Sequence, residues 1–127
     1  MVDIKTFTEK SDLQLIHGYG DNGFRISGSR YSGDVMVLPR MTLAWSPPDL
    51  NNISFDDLAP LLGDIPPPLF ILGVGQAPMQ LYPDLAAYLK IKNISLEVMS
   101  TAAACRTWNV LMSEGRDAAA GLIAVDA

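Results

Sequence analysis

The spacing of apolar and polar positions changes character about halfway along the chain. From residue 13 to residue 38 the apolar side chains come in short runs broken by turn residues. Leu13, Leu15 and His17 share one parity and Gln14 and Ile16 the other, an imperfect alternation that predicts a strand over 13–19. Gly18 to Gly23 is a turn cluster, and Asn22-Gly23 is a hairpin signal because both residues tolerate positive φ. Phe24-Arg25-Ile26 returns as a strand, Gly28-Ser29 turns again, and Arg30 to Ser32 and Asp34 to Leu38 add strand on either side of Gly33, a bulge candidate. The pattern predicts a three- or four-stranded antiparallel meander over 13–38, ended by Pro39. Residues 39–52, with Trp45 and Pro47-Pro48, read as loop, and Ser54 caps a short helix over 55–62. Asp56 and Asp57 in its first turn suit the positive end of the helix dipole better than they suit paired-acid catalysis.

The second half follows a different rhythm. Leu69 to Gly75, Leu-Phe-Ile-Leu-Gly-Val-Gly, is a short apolar run with Pro66-Pro67-Pro68 in front, which reads as a strand buried on both faces. Pro83 and Asp84 open a helix whose Leu85, Tyr88 and Leu89 form one stripe, and Asn93 ends it. Ile94, Leu96 and Val98 lie on one face of a strand over 94–99. Ser100 or Thr101 caps a second helix, Ala104, Trp108 and Leu111 form its core stripe, and Gly115 fits its left-handed terminus. Residues 116–125 finish as a strand. The fold class is α/β, with a β-meander N-terminal half and a β-α-β-α-β C-terminal half around a largely parallel sheet.

Composition narrows the picture. At 127 residues and 49% apolar, a single domain with its core over about 13–125 is expected. A net charge of −5 argues against a nucleic-acid partner. One cysteine allows no intrachain disulfide. No apolar run is long enough to span a membrane, so no membrane insertion is expected. The N-terminus has neither the h-region of a signal peptide nor an Arg-rich transit character, which makes a cytoplasmic location the expectation.

Candidate chemistry concentrates in two segments. Gly73-x-Gly75 follows a strand, but Pro78 occupies the place of the third glycine of a dinucleotide fingerprint, and Glu97 lies within its strand. The glycines instead let the backbone come close to the start of the 101–109 helix. Cys105 lies near that start beside Arg106, an arrangement that favours a thiolate, although a free cysteine is as readily a small apolar core residue. Arg106, Asn109 and Ser113 share a helix face, and with Ser100 and Thr101 they suit an anion or carboxylate, or else an internal acid and loop carbonyls. The candidate pocket residues are therefore Gly73, Gly75, Ser100, Thr101, Cys105, Arg106 and Asn109. His17 stands without a cluster at ligand spacing, so no metal site, no cofactor and no catalytic residue is assigned.

Several strings resemble one family: Gly18-Tyr19-Gly20-x-x-Gly23-Phe24, Val37-Leu38-Pro39 with Trp45, Leu72-Gly73-Val74-Gly75, and above all Glu97 to Leu111 with Thr101, Cys105-Arg106-Thr107 and Asn109. Across residues 13–125 the chain is similar to the Mth-like domain family, which includes a mitochondrial complex I assembly factor and an adipogenesis-associated member. The resemblance implies a three-layer fold on a mixed central sheet and no established catalysis. It also implies a non-enzymatic, protein-binding, assembly-factor-like role, with respiratory complex subunits or another assembly protein as partners. No mitochondrial targeting extension is seen, which points to a bacterial-type, cytoplasmic member. The alternative kept open is a small anionic ligand, carboxylate or phosphate, or a minor enzyme activity, with the pocket between Gly73–Gly75 and Thr101–Asn109.

Overall fold

The computed structural model describes residues 13–47, 58, 65–76 and 82–126. Eight strands and two helices occur among them: β1 Ile16–Gly20, β2 Gly23–Ile26, β3 Ser29–Ser32, β4 Val35–Leu38, β5 Met41–Ala44, β6 Leu69–Gly73, α1 Pro83–Ile91, β7 Ser95–Met99, α2 Thr101–Ser113 and β8 Ala119–Leu122. The expected helix over 55–62 with its Ser54 cap lies outside the described residues, Leu58 excepted.

The strands form two sheets, a three-stranded one ordered β1-β2-β3 and a five-stranded one ordered β5-β4-β8-β6-β7. In the five-stranded sheet β6 runs parallel to both β7 and β8, while β4 is antiparallel to β8 and to β5. The connection from β6 to β7 steps one way along the sheet, and that from β7 to β8 steps back across β6. Crossovers of one hand in opposite directions put their helices on opposite faces.

Side chains record this division. Phe70 and Leu72 pack with Met36, Leu85, Leu89 and Trp45 on the α1 side. Ile71 packs with Val35, Val37, Ala104, Trp108 and Leu122 on the α2 side. Alternation along β6 thus feeds two cores, as a strand covered on both faces requires. The three-stranded sheet lays Ile16, Phe24 and Ile26 over the α2 core. The layers are α1, the five-stranded sheet, and α2 with the small sheet, which is the three-layer α/β architecture that the family resemblance implies.

Both helices stop for the same reason. Asn93 at φ 63° and Gly115 at φ 71° take the left-handed conformation just past the helix end. The next residues close Schellman pairs, Ile94 N–H to the Leu89 carbonyl and Arg116 N–H to the Leu111 carbonyl, each at 2.9 Å. Pro83 opens α1, and the Ser100 hydroxyl caps α2 by accepting from Ala103 N–H.

Four details of the expected pattern are corrected. The meander ends at Ser32: the fourth piece, Val35–Leu38, crosses into the large sheet. Its Val35, Met36 and Val37 are all fully buried, because it is covered on two faces. Residues Met41–Ala44, read as loop, are its hairpin partner β5. The first hairpin turn is Asp21-Asn22, at φ 51° and 59°, with Gly23 already paired to Gly20. The last strand ends at Leu122, and 123–126 continues as an extended strip.

Candidate functional site

The carboxyl ends of β6 and β8 meet the start of α2, and that junction holds most of the residues singled out in the sequence. Gly73 sits where α2 crosses the sheet. A Cβ there would lie 3.1 Å from Ala104 Cβ, Leu122 Cδ2 and Thr101 Cα, so glycine sets the distance between helix and strand. Two residues on, Gly75 N–H donates to Thr101 Oγ1 at 2.9 Å, and Thr101 N–H returns a bond to the Gly75 carbonyl at 3.1 Å. The same hydroxyl donates to the Ile123 carbonyl at 2.7 Å, and Ile123 N–H donates to the Gly73 carbonyl. Thr101 is fully buried. One threonine thus ties together the ends of two parallel strands and the helix that follows a third.

The other candidates lie around this knot in different settings. Ser100 is occupied as the α2 cap. Cys105 is buried, and its burial pushes the thiol from an ordinary value of 9.0 up to about 12, the Arg106 charge countering only part of the shift. Arg106 is exposed. Asn109 faces the small sheet: its Oδ1 accepts from Ile16 N–H at 2.8 Å and its Nδ2 donates to the Ile16 carbonyl at 2.7 Å. This amide completes the edge of β1 as a neighbouring strand would. Trp108, one residue earlier, donates from Nε1 to the Gln14 carbonyl at 2.6 Å.

The structure therefore brings Gly73, Gly75, Ser100 and Thr101 together and directs Asn109 elsewhere. Beyond Gly75 a cleft of about 310 Å³ opens between Val74, Gly75, Gln76, the strip 123–126 and Asn22, with no α2 residue in its lining. It lies past the carboxyl ends of β6 and β8, where open α/β sheets place their ligands. The strip was missed because 116–125 reads as one strand. It is held by Asp34, whose Oδ1 accepts from Ala124 N–H at 2.8 Å, and by Asn22 and Asp21 N–H groups on the carbonyls of Val125 and Asp126. Among the described residues no group of three or more His, Cys, Asp or Glu is placed to hold a metal ion. No helix among them is long and apolar enough to cross a membrane.

This arrangement of a mixed five-stranded sheet, two helices and a small antiparallel layer defines an Mth938-like α/β domain. It is shared with the solution structure of a Bordetella pertussis protein described as an Mth938-like domain, at TM-score 0.68 and 26% identity over 91% of this chain and 89% of that one. A crystal structure from Bartonella henselae, described as an outer membrane protein, overlays with TM-score 0.78 at 31% identity, covering 89% of this chain and 96% of that one. Residues 16–123 match the model of the family described as protein of unknown function (DUF498/DUF598), and the chain belongs to that family. Among its relatives is NADH dehydrogenase [ubiquinone] 1 alpha subcomplex assembly factor 3 of Xenopus tropicalis, 32% identical over 117 residues. That match covers 91% of this chain but 63% of the relative, so the chain spans under two thirds of that protein's length.

Proposed function

We propose that this chain is a non-enzymatic protein-interaction domain that assists assembly of a respiratory NADH dehydrogenase, acting in the cytoplasm on its subunits or on another assembly protein. The observation that carries the reading is the likeness to the assembly factor over 91% of this chain. The knot at the strand ends agrees with it: Thr101, the most deeply placed polar group there, spends its hydroxyl on Gly75 and Ile123. The test is deletion of the gene in its native host, followed by native-gel analysis and NADH:quinone oxidoreductase assay of membranes. Loss of assembled complex, restored by the wild-type chain, supports the reading; normal assembly overturns it.

A second reading starts from the exposed Arg106 guanidinium near the start of α2. In it, a small carboxylate or phosphate binds beside Gly73 and Gly75, with Ser100, Thr101, Cys105, Arg106 and Asn109 as the surrounding residues and Arg106 as its cation; of these, Gly75 also lines the cleft. Thermal-shift screening with phosphates, nucleotides and carboxylates tests it. A saturable rise in melting temperature that Arg106→Ala abolishes favours a ligand site; no shift at millimolar concentration removes it.

A further inference from the structure

The outer face of the small sheet carries a feature that neither the fold nor the strand-end junction uses. Arg25 on β2 and Arg30 on β3 are direct cross-strand partners, and both are exposed. Like charges placed opposite each other on one face destabilise a sheet. The described residues offer this repulsion no remedy: the salt bridge among them joins Arg116 to Glu114, not either of these arginines. Arg30 folds away from its partner over Gly23, donating from Nη2 to the Asp21 carbonyl at 2.7 Å and from Nη1 to the Gly20 carbonyl at 3.4 Å. Those bonds fix the guanidinium in place without neutralising it, and they leave donors facing outward.

The surroundings add to this. Gly18 pairs with Arg25, and nothing lies within 4 Å of where its side chain would be. The face around the arginines is therefore flat, built from glycine and the exposed Ser32. β3 pairs with β2 on one side, and among the described residues no strand pairs with its other edge; Ser29, Arg30 and Ser32 along it are exposed. A second copy of this chain would bring two more arginines to that edge and be repelled. An acidic strand would find its main-chain bonds on β3 and carboxylate partners in Arg30 and Arg25. The whole chain, at −5, disfavours dense polyanions such as nucleic acid or an anionic membrane. A local cationic pair in an acidic molecule suits one or two carboxylates.

We propose that the Arg25–Arg30 face and the open edge of β3 dock an extended acidic segment of a partner protein by strand addition. The proposal rests on the reading of this chain as a protein-interaction domain and names the surface and the chemistry of its partner.

The test is fluorescence anisotropy at low salt with a labelled short peptide alternating glutamate and valine. A matched peptide with glutamine for glutamate, phosphatidylserine vesicles and a single-stranded oligonucleotide serve as competitors. Wild-type chain is expected to bind the glutamate peptide and lose it as salt rises. Arg25→Glu with Arg30→Glu should weaken binding about tenfold or more, since reversal turns each modest attraction into repulsion. Arg25→Glu alone, which leaves the Arg30 bonds to the turn intact, should show part of the loss with a melting temperature no lower than that of the wild type. Equal binding of the glutamine peptide, equal binding by the reversed variant, stronger binding of vesicles or oligonucleotide, or no binding by the wild type overturns the proposal. In the deletion host, full rescue of assembly by the doubly reversed chain sinks this surface while leaving the assembly reading intact. Normal assembly without the gene sinks that reading by itself.

Discussion

Two regions of this molecule handle polar groups in opposite ways. At the start of α2, the chain consumes its own hydrogen-bonding capacity: Thr101 accepts from Gly75 and donates to Ile123, and the glycine at 73 lets helix and strand close to contact. On the outer face of β1–β3, two arginines stand opposite each other, and among the described residues no carboxylate forms a salt bridge with either. Both regions are glycine-rich, yet Gly73 is there because atoms crowd its Cβ position, whereas no described atom beyond its chain neighbours lies within 4 Å of the Gly18 Cβ position. Glycine in sequence says that space matters. Only the structure says whether that space is filled by the chain or left for something else.

The contrast can be broken by substitution. The largest effect is expected at Trp108, fully buried beneath the α2 knot and bonded to the Gln14 carbonyl: Trp108→Ala should cost about 3–5 kcal/mol in urea denaturation. Next comes Thr101→Val, close to isosteric, which leaves Gly75 N–H and the Ile123 carbonyl without their partner. A loss of about 2–4 kcal/mol is expected, and a loss below about 0.5 kcal/mol would show that the junction relaxes freely.

The two glycines give the sharpest paired comparison. Gly73→Ala should cost about 1–3 kcal/mol through overpacking against α2, whereas Gly18→Ala should stay within about 0.5 kcal/mol of wild type. Equal costs would erase the distinction between the filled and the open region.

A pH series probes the buried side differently. The folded Cys105 thiol ionises at about 12 and the unfolded one near 9.0, so the unfolded chain releases its proton first as pH rises. Stability is then unaffected below 9.0 and declines between 9.0 and about 12. The loss should be on the order of 1 kcal/mol by pH 10, and Cys105→Ala should flatten that part of the curve. The smallest effect is expected outside: Arg25→Gln, which removes one of two facing charges, should leave stability unchanged or raise it by up to about 0.5 kcal/mol in a thermal melt.

Local signals were legible where local chemistry decides the outcome. Pro83, Asn93, Ser100 and Gly115 bound the helices because caps act within a turn of the residues that make them. The apolar run at 69–73 was readable as a two-faced strand for the same reason. The destination of β4 was not, because a hairpin spacing does not say which sheet a strand joins. The run Val35-Met36-Val37, apolar at both parities, was nevertheless a sign of burial on two faces. β5 was hidden by its setting between Pro39 and the Trp45 segment. Within the candidate site, the approach of Gly73–Gly75 to Thr101 follows from glycines at a strand end. The commitment of Asn109 to Ile16 had no local signal, since the two are 93 residues apart.

The order of strands has one more consequence, for how the molecule comes into being. β8 is the last of the described strands along the chain, yet it stands in the middle of its sheet, with β4 on one side and β6 on the other. During synthesis the β4–β5 hairpin and the β6–β7 pair emerge first, as two fragments with unpaired edges facing an empty slot. Long-range pairing of this kind is slow to form, and the waiting edges are open to wrong partners. Until residues 119–122 leave the ribosome, neither fragment can close on the other, and the nascent chain is itself a client for protection.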